Sequence, residues 1–411
     1  MHAEIISVGD ELLTGLVVNT NAAFIAEQLT RAGHEVRWIT TVGDRHDDLF
    51  QAFQQADTRA QLIVVTGGLG PTHDDITKRT AARFFGSELV FRKDLLDRID
   101  VFFRKRGRTM SPSNEEQAWV PEKAEVLENE NGTAPGLLFR RGENLCFILP
   151  GVPSEAEHMM QTCVKTRFDA VGDGPIFRSR ILRTSGIPES DLYGKIADFP
   201  DRFPGVKLAF LPQTSGVAVR LVVFGIDAAV CERLIGEGER FIRGRAGKYI
   251  YGQDDDTLQK AVAELLFSRK MTLSVAESCT GGLVANKLTD IPGSSGYFER
   301  GVVAYSNASK IRVLGVPEKT IREHGAVSAE TASAMAVGIR NLSGTDIGLS
   351  TTGIAGPGGG SDSKPVGLVY IGYSDSRQTL VEKHIFLRDR LWNKERSAMA
   401  ALDLVRRLLS E

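Results

Sequence analysis

The chain has 411 residues, more than one ordinary hydrophobic core accommodates, and this length predicts about two to four domains. Hydrophobic residues make up 42% and charged residues 25% of the chain, which argues against a disordered or membrane-embedded protein. The 50 basic and 52 acidic residues give a net charge of -2, so composition supplies no general attraction to nucleic acid or to anionic membranes.

The first segment alternates short apolar runs with helical patterns. Strands are predicted at residues 3–9, 34–42 and 61–68, and helices at 19–33 and 45–56. Asn19 or Thr20 is expected to cap the first of these helices. Alternation of strand and helix at this spacing predicts a parallel sheet with helices on both faces. After Pro112 the pattern loosens, until residues 143–164 predict a buried strand, a Pro-Gly turn and a helix.

The remainder divides at two changes of composition. Residues 170–177 are predicted to be a linker, and residues 176–251 predict a small α+β domain. Beyond the second change of composition, at residues 251–257, the α/β alternation returns. Strands are predicted at 271–278, 298–306, 345–353 and 367–374, and helices at 257–270, 328–344 and across 395–409.

The predicted fold class is therefore α/β, with two three-layer domains that have largely parallel sheets and are joined by a small α+β domain. The expected boundaries are 1–170, 171–252 and 253–411. No leader pattern and no run of about 18 apolar residues is found, so the expected location is cytoplasmic. The cysteine spacing fits neither a disulfide framework nor zinc, and three of the four are expected to be core residues, Cys279 being the exception.

The first motif with chemical potential is TGGLGPTHDDIT, residues 66–77. Its glycines predict a loop that approaches phosphate, and two adjacent carboxylates beside such a loop suit a divalent metal. Other acids follow the first two strands, and Glu155 is expected to complete the same pocket. The predicted metal ligands are Asp74, Asp75, Asp44, Glu11 and Asp10. The alternative is that Asp74 and Asp75 cap the helix that follows.

The second motif is SVAESCTGG, residues 274–282. A strand that turns sharply at two glycines presents Ser278 as a nucleophile, with the N–H groups of residues 279–282 as an oxyanion hole. No histidine lies in these motifs, so Lys310, kept neutral by burial, is the available base. The alternatives are a helix-cap role for Ser278, a solvated Lys310, a half-buried Tyr305, and Cys279 as the nucleophile.

Several long motifs in order resemble one known family. AESCTGG, FERGVVAYSNASK, HGAVS, TTGIAGPGGG and KPVG resemble the amidohydrolase domain of the competence/damage-inducible protein A (CinA) family. ISVGDELLTG, NTNAAFIAEQL, TGGLGPTHDDIT, GTAPG and LPGVPSE resemble that family's N-terminal domain, which is similar to molybdopterin-binding proteins. The middle segment is similar to KH-type domains, but its GRAG at 244–247 follows a helix, and RNA binding is not expected.

The resemblance implies that the C-terminal domain hydrolyses nicotinamide mononucleotide to nicotinate mononucleotide and ammonia, without a cofactor. It implies Ser278 as nucleophile, Lys310 as base and Tyr305 as a positioning hydroxyl. Implied substrate contacts are Cys279, Thr280, Gly281, Gly282, Thr351, Thr352, Gly353 and Arg390. Arg390 is the last residue of a Gly-Asp-Arg motif of the family, which reads Arg388-Asp389-Arg390 in this chain. Because an arginine replaces the glycine, the local turn is expected to differ from that of the family.

The resemblance also implies an ADP-ribose pyrophosphatase in the N-terminal domain, dependent on a divalent metal. The expected partners of the whole chain are nicotinamide mononucleotide, ADP-ribose and a second copy of the chain in a homodimer. No membrane and no nucleic acid are expected as partners. Two rival functions stay open: a pterin-binding protein, and a non-enzymatic protein of competence or DNA repair.

Overall fold

A computed structural model describes residues 1–72, 74–164, 167, 176–214 and 216–410. The chain divides into two compact units, Met1–Arg178 with Phe224–Glu232, and Ser179–Val223 with Arg233–Glu411. The expected boundary at 170/171, most of the expected linker and His73 of the glycine-rich motif lie outside the described residues. The division into three domains therefore stays a prediction.

The first unit is built on a six-stranded mixed sheet with the order β2-β1-β3-β8-β7-β6. Strands β2, β1, β3 and β8 are parallel, whereas β7 pairs antiparallel with both of its neighbours, β8 and the edge strand β6. The strands of this part are β1 His2–Val8, β2 Glu35–Val42, β3 Leu62–Thr66, β4 Leu89–Phe91, β5 Trp119–Pro121, β6 Glu125–Leu127, β7 Gly136–Arg141 and β8 Asn144–Leu149.

Helices cover both faces of this sheet. They are α1 Asp10–Leu13, α2 Thr20–Arg31, α3 His46–Arg59, α4 Thr77–Phe85, α5 Lys93–Lys105 and α6 Pro153–Met159, with a 3-10 turn at Pro112–Ala118 and a π turn at Met160–Val164. Alternate residues of β1 enter opposite cores: Ile5 packs with Ile25 of α2, and Ile6 packs with Phe53 of α3. Burial on both faces explains why the adjacent residues Ile5 and Ile6 are both apolar.

The middle segment forms a four-stranded sheet with the order β10-β11-β9-β12. Its elements are β9 Ile176–Thr184, α7 Glu189–Lys195, α8 Phe199–Arg202, β10 Lys207–Pro212, β11 Val217–Gly225, α9 Ala228–Ala246, a 3-10 turn at Gly247–Tyr249, and β12 Ile250–Gln253. β10 pairs antiparallel with β11, and β12 pairs antiparallel with β9. The sequence of strands and helices agrees with the small α+β domain expected from the sequence.

The last segment forms a five-stranded sheet with the order β14-β13-β15-β16-β17. Its elements are α10 Leu258–Arg269, β13 Leu273–Glu277, α11 Leu283–Thr289, β14 Phe298–Val303, α12 Asn307–Leu314, α13 Glu318–His324, α14 Ala329–Ser343, β15 Ile347–Gly353, β16 Leu368–Ser374, β17 Thr379–Ile385 and α15 Arg390–Ser410. Val275 of β13 packs in the core that contains α10 and α15, and the next residue, Ala276, packs against α14.

The fold class is confirmed as α/β, with sheets that are mixed rather than purely parallel. In the C-terminal sheet β14, β13 and β15 are parallel, whereas β16 and β17 are antiparallel. A tight connection from Ser374 to Thr379 leaves room only for an antiparallel neighbour, because a parallel crossover needs about a dozen residues. The sequence analysis missed β17 because its burial alternates too weakly for an apolar pattern.

Candidate functional site

The second motif forms a sharp turn between β13 and α11. Gly281 and Gly282 have φ values of 64° and 97°, which other residues rarely adopt, and α11 begins at Leu283. The turn is tied to the neighbouring strand because the Ser278 N–H donates to the Thr351 carbonyl at 2.9 Å. Ser278 thus lies at the carboxyl end of a central parallel strand, where such sheets place ligands.

The carboxylate of Glu277 holds this turn from beneath. It is 1% exposed and accepts hydrogen bonds from the N–H groups of Gly282, Val284 and Ala285 at 2.8–3.1 Å, and from the Thr280 hydroxyl at 2.6 Å. An acid at a helix N-terminus satisfies N–H groups that have no partner within the helix. Glu277 therefore does the capping considered for Ser278, and the helix-cap hypothesis for Ser278 is wrong.

Lys310 reaches Ser278 from the first turns of α12. Its Nζ lies 3.0 Å from Ser278 Oγ, 2.9 Å from the Ala304 carbonyl oxygen and 3.2 Å from the Tyr305 carbonyl oxygen. The two carbonyls can only accept, so they orient the amine toward the hydroxyl. A distance of 3.0 Å suits an ammonium that donates to Oγ and equally a hydroxyl that donates to a neutral amine.

Burial changes the protonation of this lysine. Lys310 is 1% exposed, and desolvation lowers its pKa below the ordinary lysine value, because charge is costly where water is excluded. In the part of the chain that the structure describes, no carboxylate forms an ion pair with it. The hypothesis of a solvated surface lysine is wrong, and a neutral Lys310 can accept a proton from Ser278.

The N–H groups expected to form an oxyanion hole are only partly available. The Gly281 N–H donates to the Ser278 carbonyl at 3.2 Å, and the Gly282 N–H donates to Glu277. These two groups shape the turn instead of facing a substrate. The N–H groups of Cys279 and Thr280 interact with the Cys279 sulfur, and a role for them in binding an oxyanion stays a prediction.

Cys279 differs from its expected setting. It is 5% exposed and packs in the apolar core with Val275 and Leu349, so the expectation that it is not a core residue is wrong. Burial raises the pKa of its thiol to about 12. A thiol with so high a pKa is almost wholly protonated near neutral pH, and only the thiolate is an effective nucleophile. The geometry thus favours Ser278 over Cys279.

Thr351 and Thr352 lie on β15 beside the turn, and both are buried. The Thr351 hydroxyl lies 2.7 Å from that of Thr280, and the Thr352 hydroxyl donates to the Ala326 carbonyl at 2.7 Å. Gly353 lies against β16, where an added Cβ would come within 2.6 Å of the Leu368 carbonyl oxygen. These contacts hold the turn and strand in place, and contact of these residues with a substrate stays a prediction.

Arg390 and Tyr305 meet at the rim of the site. The Arg390 guanidinium donates to the Tyr305 hydroxyl at 2.9 Å and to the Gly356 carbonyl at 2.7 Å. Tyr305 follows the end of β14 and is 60% exposed, so it is not half-buried in a strand. Asp389 caps α15 by accepting from the Trp392 N–H at 3.0 Å, so the turn forms although Arg388 replaces the family glycine.

The sequence analysis missed Lys394. Its Nζ lies 3.4 Å from the position that a Cβ on Gly281 would take, and it makes no hydrogen bond or ion pair with any described residue. Arg390 and Lys394 are four residues apart on α15 and therefore share a face of the helix. The four-residue spacing could have indicated from the sequence that Lys394 lies beside Arg390. The sequence does not show that this helix lies next to the turn at Gly281.

In the first unit, Asp75 orders the glycine-rich loop. Its carboxylate accepts from the N–H groups of Gly70 and Thr72, each at 2.7 Å, and from the Thr72 hydroxyl. Helix α4 begins at Thr77, with Ile76 before it and no side-chain cap. The alternative that Asp75 caps this following helix is wrong, because its carboxylate faces the preceding loop.

Asp10 and Asp44, which follow β1 and β2, are hydrogen-bonded to each other. The N–H of each donates to the carboxylate of the other, at 3.0 and 3.2 Å. Burial, together with the charges of Asp10, Glu11 and Asp74, raises the pKa of Asp44. Among the described residues, no group of three or more His, Cys, Asp or Glu side chains is arranged to hold a metal ion. The five predicted ligands therefore do not form a described metal centre.

Glu155 is not among the residues that line the cavity beside the glycine-rich loop. Its carboxylate accepts from the Asn129 amide at 2.6 Å, and burial raises its pKa. The glycine-rich loop instead borders a cavity of about 650 Å³ whose lining includes Lys78 and Arg79. The Lys78 Nζ donates to the Glu116 carbonyl at 2.5 Å, and burial lowers its pKa to about 8.

Across the described residues, no helix is both long and apolar enough to cross a membrane.

Three family models match successive parts of the chain. Residues 4–170 match the family described as a probable molybdopterin binding domain, residues 179–252 match the damage-inducible protein CinA KH domain, and residues 255–409 match the CinA C-terminal domain.

Full-length relatives are also found. A CinA-like protein of Chloroherpeton thalassium is 45% identical over 100% of both chains, and one of Salinibacter ruber is 42% identical over 100% of both. A crystal structure of the protein CinA from Thermoplasma acidophilum, 40% identical, covers 40% of this chain and 96% of its own, with a TM-score of 0.38. The chain thus belongs to the CinA family, with a molybdopterin-binding-like N-terminal domain, a KH domain and a CinA C-terminal domain.

Proposed function

We propose that the C-terminal domain is a serine amidohydrolase that converts nicotinamide mononucleotide to nicotinate mononucleotide and ammonia. The observation that carries this proposal is the 3.0 Å contact between Ser278 Oγ and the buried Nζ of Lys310. A serine and a lysine of lowered pKa within hydrogen-bond distance form a nucleophile and its base.

The reaction proceeds through an acyl-enzyme. Ser278 Oγ attacks the carboxamide carbon while its proton passes to Lys310 Nζ, and the N–H groups of Cys279 and Thr280 stabilise the oxyanion. The C–N bond then breaks as the Lys310 ammonium returns the proton to the departing nitrogen, which leaves as ammonia. Water, deprotonated by Lys310, attacks the ester, and the proton returns to Ser278 as the carboxylic acid is released.

The rim of the site favours a phosphorylated amide over a neutral one. Arg390 and Lys394 place two positive charges beside the turn that carries Ser278, and Lys394 has no described anionic partner. Arginine forms paired hydrogen bonds with phosphate, and lysine supplies a mobile point charge. Both would be balanced by the phosphate of a mononucleotide bound over the turn.

Lys394→Met is expected to raise KM for nicotinamide mononucleotide about tenfold with little change in kcat, the loss expected for one charge-assisted phosphate contact. Steady-state kinetics with the mononucleotide and with nicotinamide riboside would measure this, because the riboside lacks the phosphate. Lys319→Met is the control, since Lys319 is an exposed lysine on α13. Equal losses on both substrates would contradict a phosphate contact.

We propose a second activity, ADP-ribose hydrolysis, for the N-terminal domain. The observation that favours it is the cavity between the glycine-rich loop and the 3-10 turn, because a glycine-rich loop can approach a pyrophosphate. Its lining holds Lys78 and Arg79 together with the carboxylates Asp75, Glu115 and Glu116, the last of which pairs with Arg79. The described acids do not fit a metal centre, so no catalytic step is assigned to a metal here. Metal dependence stays a prediction.

One experiment with the purified full-length chain tests both proposals. Ammonia release from nicotinamide mononucleotide and AMP release from ADP-ribose would each be measured with and without a chelator. We expect ammonia release to be unaffected by the chelator, because Ser278 and Lys310 need no metal. Loss of AMP release in the chelator would support the predicted metal dependence of the second activity. Absence of ammonia release would reject the amidase, and absence of AMP release without the chelator would reject the second activity.

A further inference from the structure

A second cavity lies within the second unit, apart from the Ser278 turn. It has a volume of about 1070 Å³ and is bordered by the 3-10 turn Gly247–Tyr249, by β17 and by the outer turns of α15. Ligand pockets commonly measure about 300 to 1,000 Å³, so the cavity has room for a small organic molecule. Neither of the proposed activities uses it.

Positive charge is concentrated around this cavity. Five lysine and arginine side chains border it, against two carboxylates, Glu382 and Asp403, in a chain whose overall net charge is -2. The cationic residues are Lys248, Lys383, Arg396, Arg406 and Arg407. Such an excess of one sign within a concave surface creates a potential that attracts anions.

Both carboxylates are already engaged by part of this set. Asp403 accepts from Arg406 at 2.9 Å and from Arg407 at 3.1 Å, and Glu382 accepts from Arg407 at 2.8 Å. His384 also lies 3.2 Å from Glu382, and these contacts lower the Glu382 pKa to about 2. Glu382 and Asp403 are thus charged and already paired with Arg406 and Arg407. Neither carboxylate forms an ion pair with the other three cations of the cavity.

Three cations remain without a carboxylate partner among the described residues. Arg396 donates to the Thr214 carbonyl at 2.5 Å, Lys248 Nζ lies 5.0 Å from the Tyr249 ring, and Lys383 forms no described ion pair. Arg396 is partly buried, and desolvation lowers its pKa although the nearby charge of Asp403 acts in the opposite direction. Burial of a guanidinium without a direct ion pair is costly. An anionic ligand would remove that cost.

Aromatic rings stand beside these charges. The His384 ring stacks on Phe386 with centroids 5.6 Å apart and planes at 9°, and the Arg396 guanidinium lies 5.7 Å from Phe386. Met399 and Ile187 add apolar lining. Flat rings next to cations suit a ligand that joins a planar base to phosphate groups.

We propose that this cavity binds a nucleoside phosphate, with Lys248, Lys383 and Arg396 around the phosphates and the base against the His384–Phe386 pair. The site is separate from Ser278 and from the glycine-rich loop. Because it joins the middle segment to β17 and α15, a bound nucleotide would hold these elements together and raise the melting temperature.

The test is calorimetric titration of the full-length protein with ATP in the presence of a chelator, with tripolyphosphate and adenosine as separate probes. Combined Lys383→Met and Arg396→Met substitution is expected to weaken ATP binding about tenfold or more, as expected for loss of charge-assisted phosphate contacts. Arg300→Met with Lys319→Met is the matched control, because both residues are exposed cations elsewhere in this unit.

Each alternative result overturns the proposal. Binding that survives the double substitution but is lost in Arg390→Met would belong to the amidase site, and binding that survives both would lie elsewhere. No binding at millimolar ATP would reject the site, and equal affinity for tripolyphosphate would reject recognition of the base. Much tighter binding of a single-stranded oligonucleotide would identify a nucleic-acid surface instead.

Lys383→Met alone guards against misfolding of the double variant, because Lys383 is exposed on the outermost strand β17. We expect it to keep the wild-type melting temperature without ligand and to lose part of the ATP affinity. Unchanged affinity in this variant would remove Lys383 from the site and leave too little charge to support it.

Discussion

Ser278→Ala is expected to abolish ammonia release from nicotinamide mononucleotide, with a fall in kcat of about 10³-fold or more, because covalent catalysis ends when the nucleophile is removed. Oγ makes no contact that the turn needs, since the turn is held through Glu277, Thr280 and the Ser278 N–H. The variant should therefore fold normally and still bind the nucleotide.

Cys279→Ala is the matched control for this loss, because Cys279 is the adjacent residue and the alternative nucleophile. It removes a buried sulfur from the core, so we expect a lower melting temperature but most of the wild-type kcat. Ammonia release and melting temperature would be measured on both variants. Full activity in Ser278→Ala would refute the serine mechanism.

Lys310→Met is expected to reduce kcat about 10² to 10⁴-fold, the usual contribution of a general base. Methionine keeps a similar length and suits a buried position, so the free energy of unfolding should not fall greatly. Lys310→Arg separates charge from base function, because a guanidinium cannot lose its proton in a protein. If Lys310→Arg retained wild-type activity, Lys310 would not be the base.

The expected pH dependence of the amidase reaction follows from the direction in which the Lys310 pKa is shifted. Desolvation lowers that pKa below 10.5, so the neutral, basic form becomes populated at a lower pH than for an exposed lysine. We expect kcat/KM to rise with pH and to level off above a midpoint below 10.5. A rate profile across the alkaline range would show this limb in the wild type, and its persistence in Lys310→Met would assign it to another group.

Most of the sheet framework could be predicted from the sequence, because burial on both faces leaves short apolar runs such as that of β3. The position of Ser278 at the end of a strand followed from the local sequence for the same reason. The edge strands β2 and β14 were predicted, but the edge strands β6 and β17 were not, because partial exposure mixes polar and apolar residues and weakens their alternation.

Residues brought to the site by the fold alone were not predictable. Glu277 reads as the last residue of a strand, and its role depends on the helix start that folds back over its carboxylate. Lys394 reads as one polar residue of a long helix, and nothing local indicates that it lies over Gly281. For the predicted metal ligands, the sequence indicated the position but not the role. Asp75 lies beside the glycine-rich loop as expected, but its carboxylate oxygens accept hydrogen bonds from the N–H groups of that loop.

The burial of Cys279 affects how the proposed amidase would respond to oxidants and thiol reagents. A protonated thiol packed beneath the turn is a poor target for peroxide or iodoacetamide, although it neighbours the nucleophile. Oxidative stress would then leave amide hydrolysis running when enzymes with exposed thiolates stop. Covalent inhibitors would have to be designed for an oxygen nucleophile, and boronic acids, which form a tetrahedral adduct with a serine oxygen, are the suitable starting chemistry.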